Sequence, residues 1–97
     1  MVRAFLILLL TLAAGLSALE GEMRGAWIHS AVGVPKWGWD ATVKALADNG
    51  YNALFANLMW AACAEYPSAV LAPHPTLGTK GNSPDRLREC LDACRKY

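Results

Sequence analysis

Three side chains in this sequence stand where a ligand could meet them: His29, Asn57 and Trp60. Neutral imidazole and carboxamide groups both donate and accept hydrogen bonds, which suits a polar ligand. The plainer reading is that His29 and Asn57 satisfy backbone groups where strands end. Trp60 offers a flat aromatic surface that can pack against the apolar face of a ligand ring while its N–H stays hydrogen-bonded. Trp37 and Tyr66 offer the same chemistry nearby, although closure of a loop onto the core explains all three aromatics as well. Trp27 and Trp39 read as core residues.

Hydrolysis of a glycosidic bond ordinarily takes two carboxyl groups, ~5–5.5 Å apart for retention or ~6.5–9.5 Å for inversion. Asp48, Asp85, Glu89 and Asp92 fall on expected helices, and Asp40 reads as a helix-start acid. Only Glu65 falls in a connecting loop, where a solvated surface acid is the plain reading. No catalytic carboxylate pair is therefore expected, and no metal or cofactor. Cys63, Cys90 and Cys94 are an odd set without Cys-x-x-Cys spacing, which argues against a zinc site and against a small disulfide or redox protein. Cys90 and Cys94, four apart on an expected helix, share one side in a poor geometry for a disulfide and read as small buried apolar residues.

The elements that must position these groups follow from pattern. Residues 1–18 carry a basic start, an apolar run and then small residues, the order of a secretory signal peptide. The apolar stretch of residues 4–19 is shorter than the ~20 residues of a membrane span, so cleavage is preferred to an uncleaved anchor and no stable span is expected afterwards. The protein is thus expected to be exported to the periplasm, cell surface or medium. Nine basic and eight acidic residues become eight of each once Arg3 leaves with the leader. That balance, with no basic cluster, excludes nucleic acid as a partner.

Residues 22–29 read as a strand, and Gly33, Pro35 and Gly38 mark residues 30–38 as a loop. Trp39, Val43, Leu46 and Ala47 then form an apolar helical stripe, with Lys44 and Asp48 facing water. Asn49-Gly50 closes that helix. Residues 51–59 are apolar at nearly every position, as in a parallel strand covered on both faces. The connection of about 20 residues suits a βαβ crossover. Residues 60–82 have no strong period. Ser83-Pro84-Asp85 supplies a capping hydroxyl, a first-position proline and an early acid for a second helix, whose stripe is Leu87, Cys90, Leu91 and Cys94. Such an arrangement has only two parallel strands with open edges, and it leaves Trp27, Phe55, Leu87 and Leu91 poorly covered.

The stretch Glu22-Met23-Arg24-Gly25-Ala26-Trp27-Ile28, the helix from Trp39 through Asn49-Gly50-Tyr51 to Phe55, the triplet Tyr66-Pro67-Ser68 and the segment of residues 86–97 together resemble the start of bacterial glycosyl-hydrolase-like family 10 domains. The resemblance spans nearly all of residues 19–97 but only about the first quarter of that family's barrel. It implies an α/β fold, the N-terminal portion (about two β/α units) of a (β/α)8 TIM barrel, with the remaining strands outside this chain. It also implies an exported protein acting on a polysaccharide or related glycan, the fragment itself being inactive. In such barrels the site forms at the carboxyl ends of the strands, which is where His29 and Asn57 fall. This sequence has Asn57-Leu58-Met59 where many members have Gln-x-Arg, and Cys63 where many have an acid. That pattern is not carried over, and the chain is expected to represent a divergent subgroup. The alternative is a barrel that binds carbohydrate without hydrolysing it.

Overall fold

The computed structural model describes residues 21–97. The leader expected at residues 1–18 lies outside the described residues. Strand β1 (Gly25–Ile28) is followed by helix α1 (Gly38–Asp48) and strand β2 (Ala53–Ala56). Then come the short strands β3 (Met59–Trp60), β4 (Cys63–Ala64) and β5 (Ala72–Pro73), and helix α2 (Arg86–Lys96).

β1 and β2 pair in parallel, Gly25 opposite Ala53 through Ile28 opposite Ala56, with α1 as the crossover. The expected βαβ unit is therefore present, with shorter strands than the sequence pattern suggests. Asn52 begins the pairing with its side chain as well as its backbone. Its Oδ1 accepts from the Arg24 amide at 2.7 Å and its Nδ2 donates to the Glu22 carbonyl at 2.7 Å.

Helix α1 closes as its sequence requires. Gly50 adopts a φ of 84°, its amide bonds to the Ala47 carbonyl, and the Tyr51 amide bonds back to the Leu46 carbonyl. That pair of bonds is a Schellman closure, in which glycine takes the left-handed position without a Cβ clash. The helix turns the chain sharply and delivers Ala53 beside Gly25.

At the other end, the loop after β1 is pinned by two buried side chains of α1. Trp39 Nε1 donates to the Ala31 carbonyl at 2.7 Å. Thr42 Oγ1 donates to the Gly38 carbonyl at 2.6 Å and accepts from the Val34 amide at 2.8 Å. Gly33 lies so close that a Cβ there would stand 2.6 Å from Thr42 Oγ1.

The core is small and lies on one side of the sheet. Trp39, Val43, Cys90 and Ala93 form it, with Ile28, Leu54 and Ala56 packed against them from β1 and β2. Helix α2 meets α1 through a different stripe from the one expected: Arg86, Cys90 and Ala93 are buried, whereas Leu91 and Cys94 are exposed. The rotation follows from Arg86, which is drawn inward by an acid described below. The cap also differs. Asp85, not Ser83, is the N-cap, and its carboxylate accepts from the Arg88 amide at 2.9 Å. Ser83 instead accepts from the Asp85 amide, and Pro84 stands ahead of the helix.

Two further expectations are corrected. Residues 59–73 form a three-stranded sheet in the order β3-β4-β5 within the stretch expected to be mostly loop, its members too short to leave a period in sequence. Trp27, expected in the core, is 65% exposed, and Phe55 beside it is exposed as well. β2 is thus covered on one face among the described residues, not on both.

Candidate functional site

The carboxyl ends of β1 and β2 lie side by side because the strands run parallel and in register. The Asn57 amide donates to the Ile28 carbonyl at 3.1 Å, so His29 and Asn57 leave the sheet at the same level. Alternation along β1 puts Trp27 and His29 on one face, with ring centroids 6.0 Å apart. Phe55 lies on that face too, stacked on Trp27 at 5.5 Å and 17°. Gly25, Trp27, His29 and Phe55 thus form an open aromatic surface leading to Asn57. Gly25 is part of the fit, since a Cβ there would meet the Phe55 ring at 2.7 Å. His29 is exposed and Asn57 is half-buried.

Trp60 stands further on, in β3, and is exposed together with Met59. It is presented by a two-residue hairpin whose central residues, Ala61 and Ala62, have φ values of 49° and 62°. Two successive positive φ angles match a type I′ turn, where Asn-Gly is the favoured pair and alanine is strained. Trp37 is exposed and Tyr66 half-buried, each on its own loop. Ser68, of the Tyr66-Pro67-Ser68 triplet, organises the turn into β5 by accepting from the Val70 and Leu71 amides. Register brings His29 and Asn57 together, while Trp60, Trp37 and Tyr66 are held on separate loop elements.

Glu65 is not the solvated acid expected. It is 5% exposed and forms a buried ion pair with the guanidinium of Arg86. Its backbone is engaged on both sides: the amide donates to the Leu58 carbonyl and the carbonyl accepts from the Arg86 amide, each at 3.0 Å. His74 Nε2 lies 3.7 Å from the second carboxylate oxygen. His74 Nδ1 is 2.9 Å from Thr76 Oγ1 and accepts from the Thr76 amide, and Arg86 Nη2 donates to the same hydroxyl at 3.2 Å. Because Nδ1 accepts from an amide, the neutral ring carries its proton on Nε2, facing Glu65.

This cluster clamps the loop between β4 and α2. Both oxygens of Glu65 face cationic or donor groups, so the carboxylate serves as a fixed anchor and is ill-placed to exchange a proton with a ligand. The sequence singled out neither His74, Thr76 nor Arg86. Their one visible signal was a lone acid in a loop, and its partner is 21 residues away.

Asp40, Asp48, Glu89 and Asp92 stand on the helices, and Asp85 caps the second of them. Asp40 is in the first turn of α1, but its carboxylate accepts from Lys96 Nζ and Tyr97 Oη, each at 3.0 Å, instead of capping amides. Among the described residues no group of three or more His, Cys, Asp and Glu side chains could hold a metal ion. No helix among them is long and apolar enough to cross a membrane. Comparison of the chain with known family models, curated proteins and solved structures yields no significant match.

Proposed function

We propose that this chain forms the first two β/α units of an exported, glycoside-hydrolase-like barrel protein that acts on a polysaccharide or related glycan. The observation that carries the proposal is the open face of the β1–β2 sheet. Helices cover one side, and on the other Trp27 and Phe55 stack toward His29 and Asn57 at the strands' carboxyl ends. A parallel sheet is normally buried on both faces, so further strands curling round that side would cover the aromatics and leave the strand ends at a mouth. The resemblance to glycosyl-hydrolase-like family 10 domains points the same way, as does a leader-type sequence at residues 1–18. In this reading His29 and Asn57 hydrogen-bond sugar hydroxyls, Trp60 stacks on a ring, and the carboxylates that break the bond come from later strands.

A second reading, a barrel that binds carbohydrate without cleaving it, is favoured by one observation. Glu65, the loop acid nearest β3, is committed to Arg86 and His74. The test is to express the reading frame as it continues past the codon for Tyr97 and assay it on polysaccharides. Hydrolysis abolished by substituting acids at later strand ends, with affinity weakened by His29→Ala and Asn57→Ala, supports the first reading. Binding without turnover supports the second, and absence of both binding and turnover overturns the proposal.

A further inference from the structure

Cys90 and Cys94 are one helical turn apart on α2, a spacing that sets Cβ atoms about 5–6 Å from each other on one side of a helix. Both thiols are free. Cys90 is buried against the core cluster of Trp39, Val43 and Ala93, while Cys94 is exposed. Cys94 also stands in the wall of a groove of about 390 Å³ whose other walls include Val43, Leu46, Tyr51 and Leu54. One thiol is thus anchored by packing, the second is reachable, and apolar surface adjoins the pair.

We propose that Cys90 and Cys94 form a chelating dithiol for a trivalent arsenical bearing an apolar substituent, the substituent lying in the groove beside Cys94. A direct disulfide would require the sulfurs to close to roughly 2.05 Å with a fixed dihedral, which the helical backbone resists. An arsenic atom inserted between them spans a longer gap and leaves the helix intact. The reaction balances without an oxidant. An oxide R–As=O exchanges its arsenic–oxygen double bond for two arsenic–sulfur bonds, both thiol protons leave with the oxygen as water, and arsenic stays trivalent. The product is neutral, as an apolar wall requires. Burial and the neighbouring Cys94 push the Cys90 thiol up to about 12, so at neutral pH Cys90 enters the reaction as a thiol. Cys63 lies on β4, outside this arrangement, and serves as the internal control.

The probe is phenylarsine oxide added to the full chain, with intact-mass detection in the presence of excess monothiol. One equivalent is expected to remain bound to the wild-type chain and to Cys63→Ser, and to be removed by a competing dithiol. The adduct should be lost from Cys90→Ser and from Cys94→Ser. A further variant, Asp92→Cys in the Cys94→Ser background, keeps two thiols but moves one to the wrong side of the helix, and it should also fail to retain the probe. Equal retention by that variant would show that an unstructured segment suffices and would overturn the proposal. So would retention lost only on removal of Cys63, or no monothiol-resistant adduct at all.

Discussion

The two faces of the β1–β2 sheet are made from the same two strands and could hardly differ more. On the helical side Ile28, Leu54 and Ala56 pack under Trp39, Val43, Cys90 and Ala93, and Trp39 is 2% exposed. On the other side Trp27 and Phe55 stack on each other with most of the Trp27 surface in water. Successive residues of one strand therefore live in opposite environments, although β2 reads as apolar throughout. The helical face owes its stability to packing already in place. On the aromatic face Trp27 and Phe55 stay exposed among the described residues. An uncovered stacked pair of that kind is the observation on which the proposed barrel reading rests.

The largest expected effects test the covered side. Trp39→Ala removes the largest buried side chain and the hydrogen bond to Ala31, and by analogy with other buried aromatics it should cost about 3–5 kcal/mol. Trp27→Ala should cost far less in this chain, since little of its surface leaves water. Protease resistance of the helical layer checks both. Equal losses would dissolve the distinction between the faces.

Next comes the clamp that holds the loop beyond β4. Glu65→Ala leaves the Arg86 guanidinium buried without its carboxylate, and breaking such a pair typically costs about 3–5 kcal/mol. The double variant Glu65→Met/Arg86→Met should recover most of that loss in denaturant unfolding. If the double variant is no better than the single one, the ion pair contributes more than mutual neutralisation.

A smaller effect of opposite sign is expected in the hairpin that carries Trp60. Ala62→Gly removes left-handed strain and should stabilise the turn by up to about 1 kcal/mol, seen as slower amide exchange in β3 and β4. The smallest effect concerns Asp40. Hydrogen bonds from Lys96 and then Tyr97 hold its carboxyl below the ordinary value of 3.8. The sign follows directly: the contribution is complete above the ordinary value and lost as pH falls through the depressed one. Because the contact is fully exposed the change in stability is slight, so the check is an NMR titration, in which Lys96→Gln should return Asp40 toward 3.8.

Much of this was legible in sequence where the determinants are local. Asn49-Gly50 announced the helix stop, and the stripe beginning at Trp39 and Val43 located the core side of α1. The spacing between the two apolar runs announced the βαβ crossover. What was illegible depends on partners distant in the chain. Arg86 reads as a surface charge until Glu65 is brought to it, and that pairing then turns α2 so that Ala93, not Leu91, faces inward. Strands of two residues leave no period, so β3, β4 and β5 looked like open loop. Asp85 displaced Ser83 as the cap because Ser83 already serves the Asp85 amide. At the candidate site His29 and Asn57 were readable from strand ends, whereas the fixed role of Glu65 was not.

The central proposal is that the Trp27–Phe55 face is the inner side of a larger sheet. The direct measurement is hydroxyl-radical labelling of the product of the reading frame continued past Tyr97, comparing Trp27 with Trp39 in one sample. The account predicts that both tryptophans are protected to a similar degree, with Trp60 labelled freely and shielded when glycan is added. Trp27 labelled as fast as Trp60, with or without glycan, would contradict it.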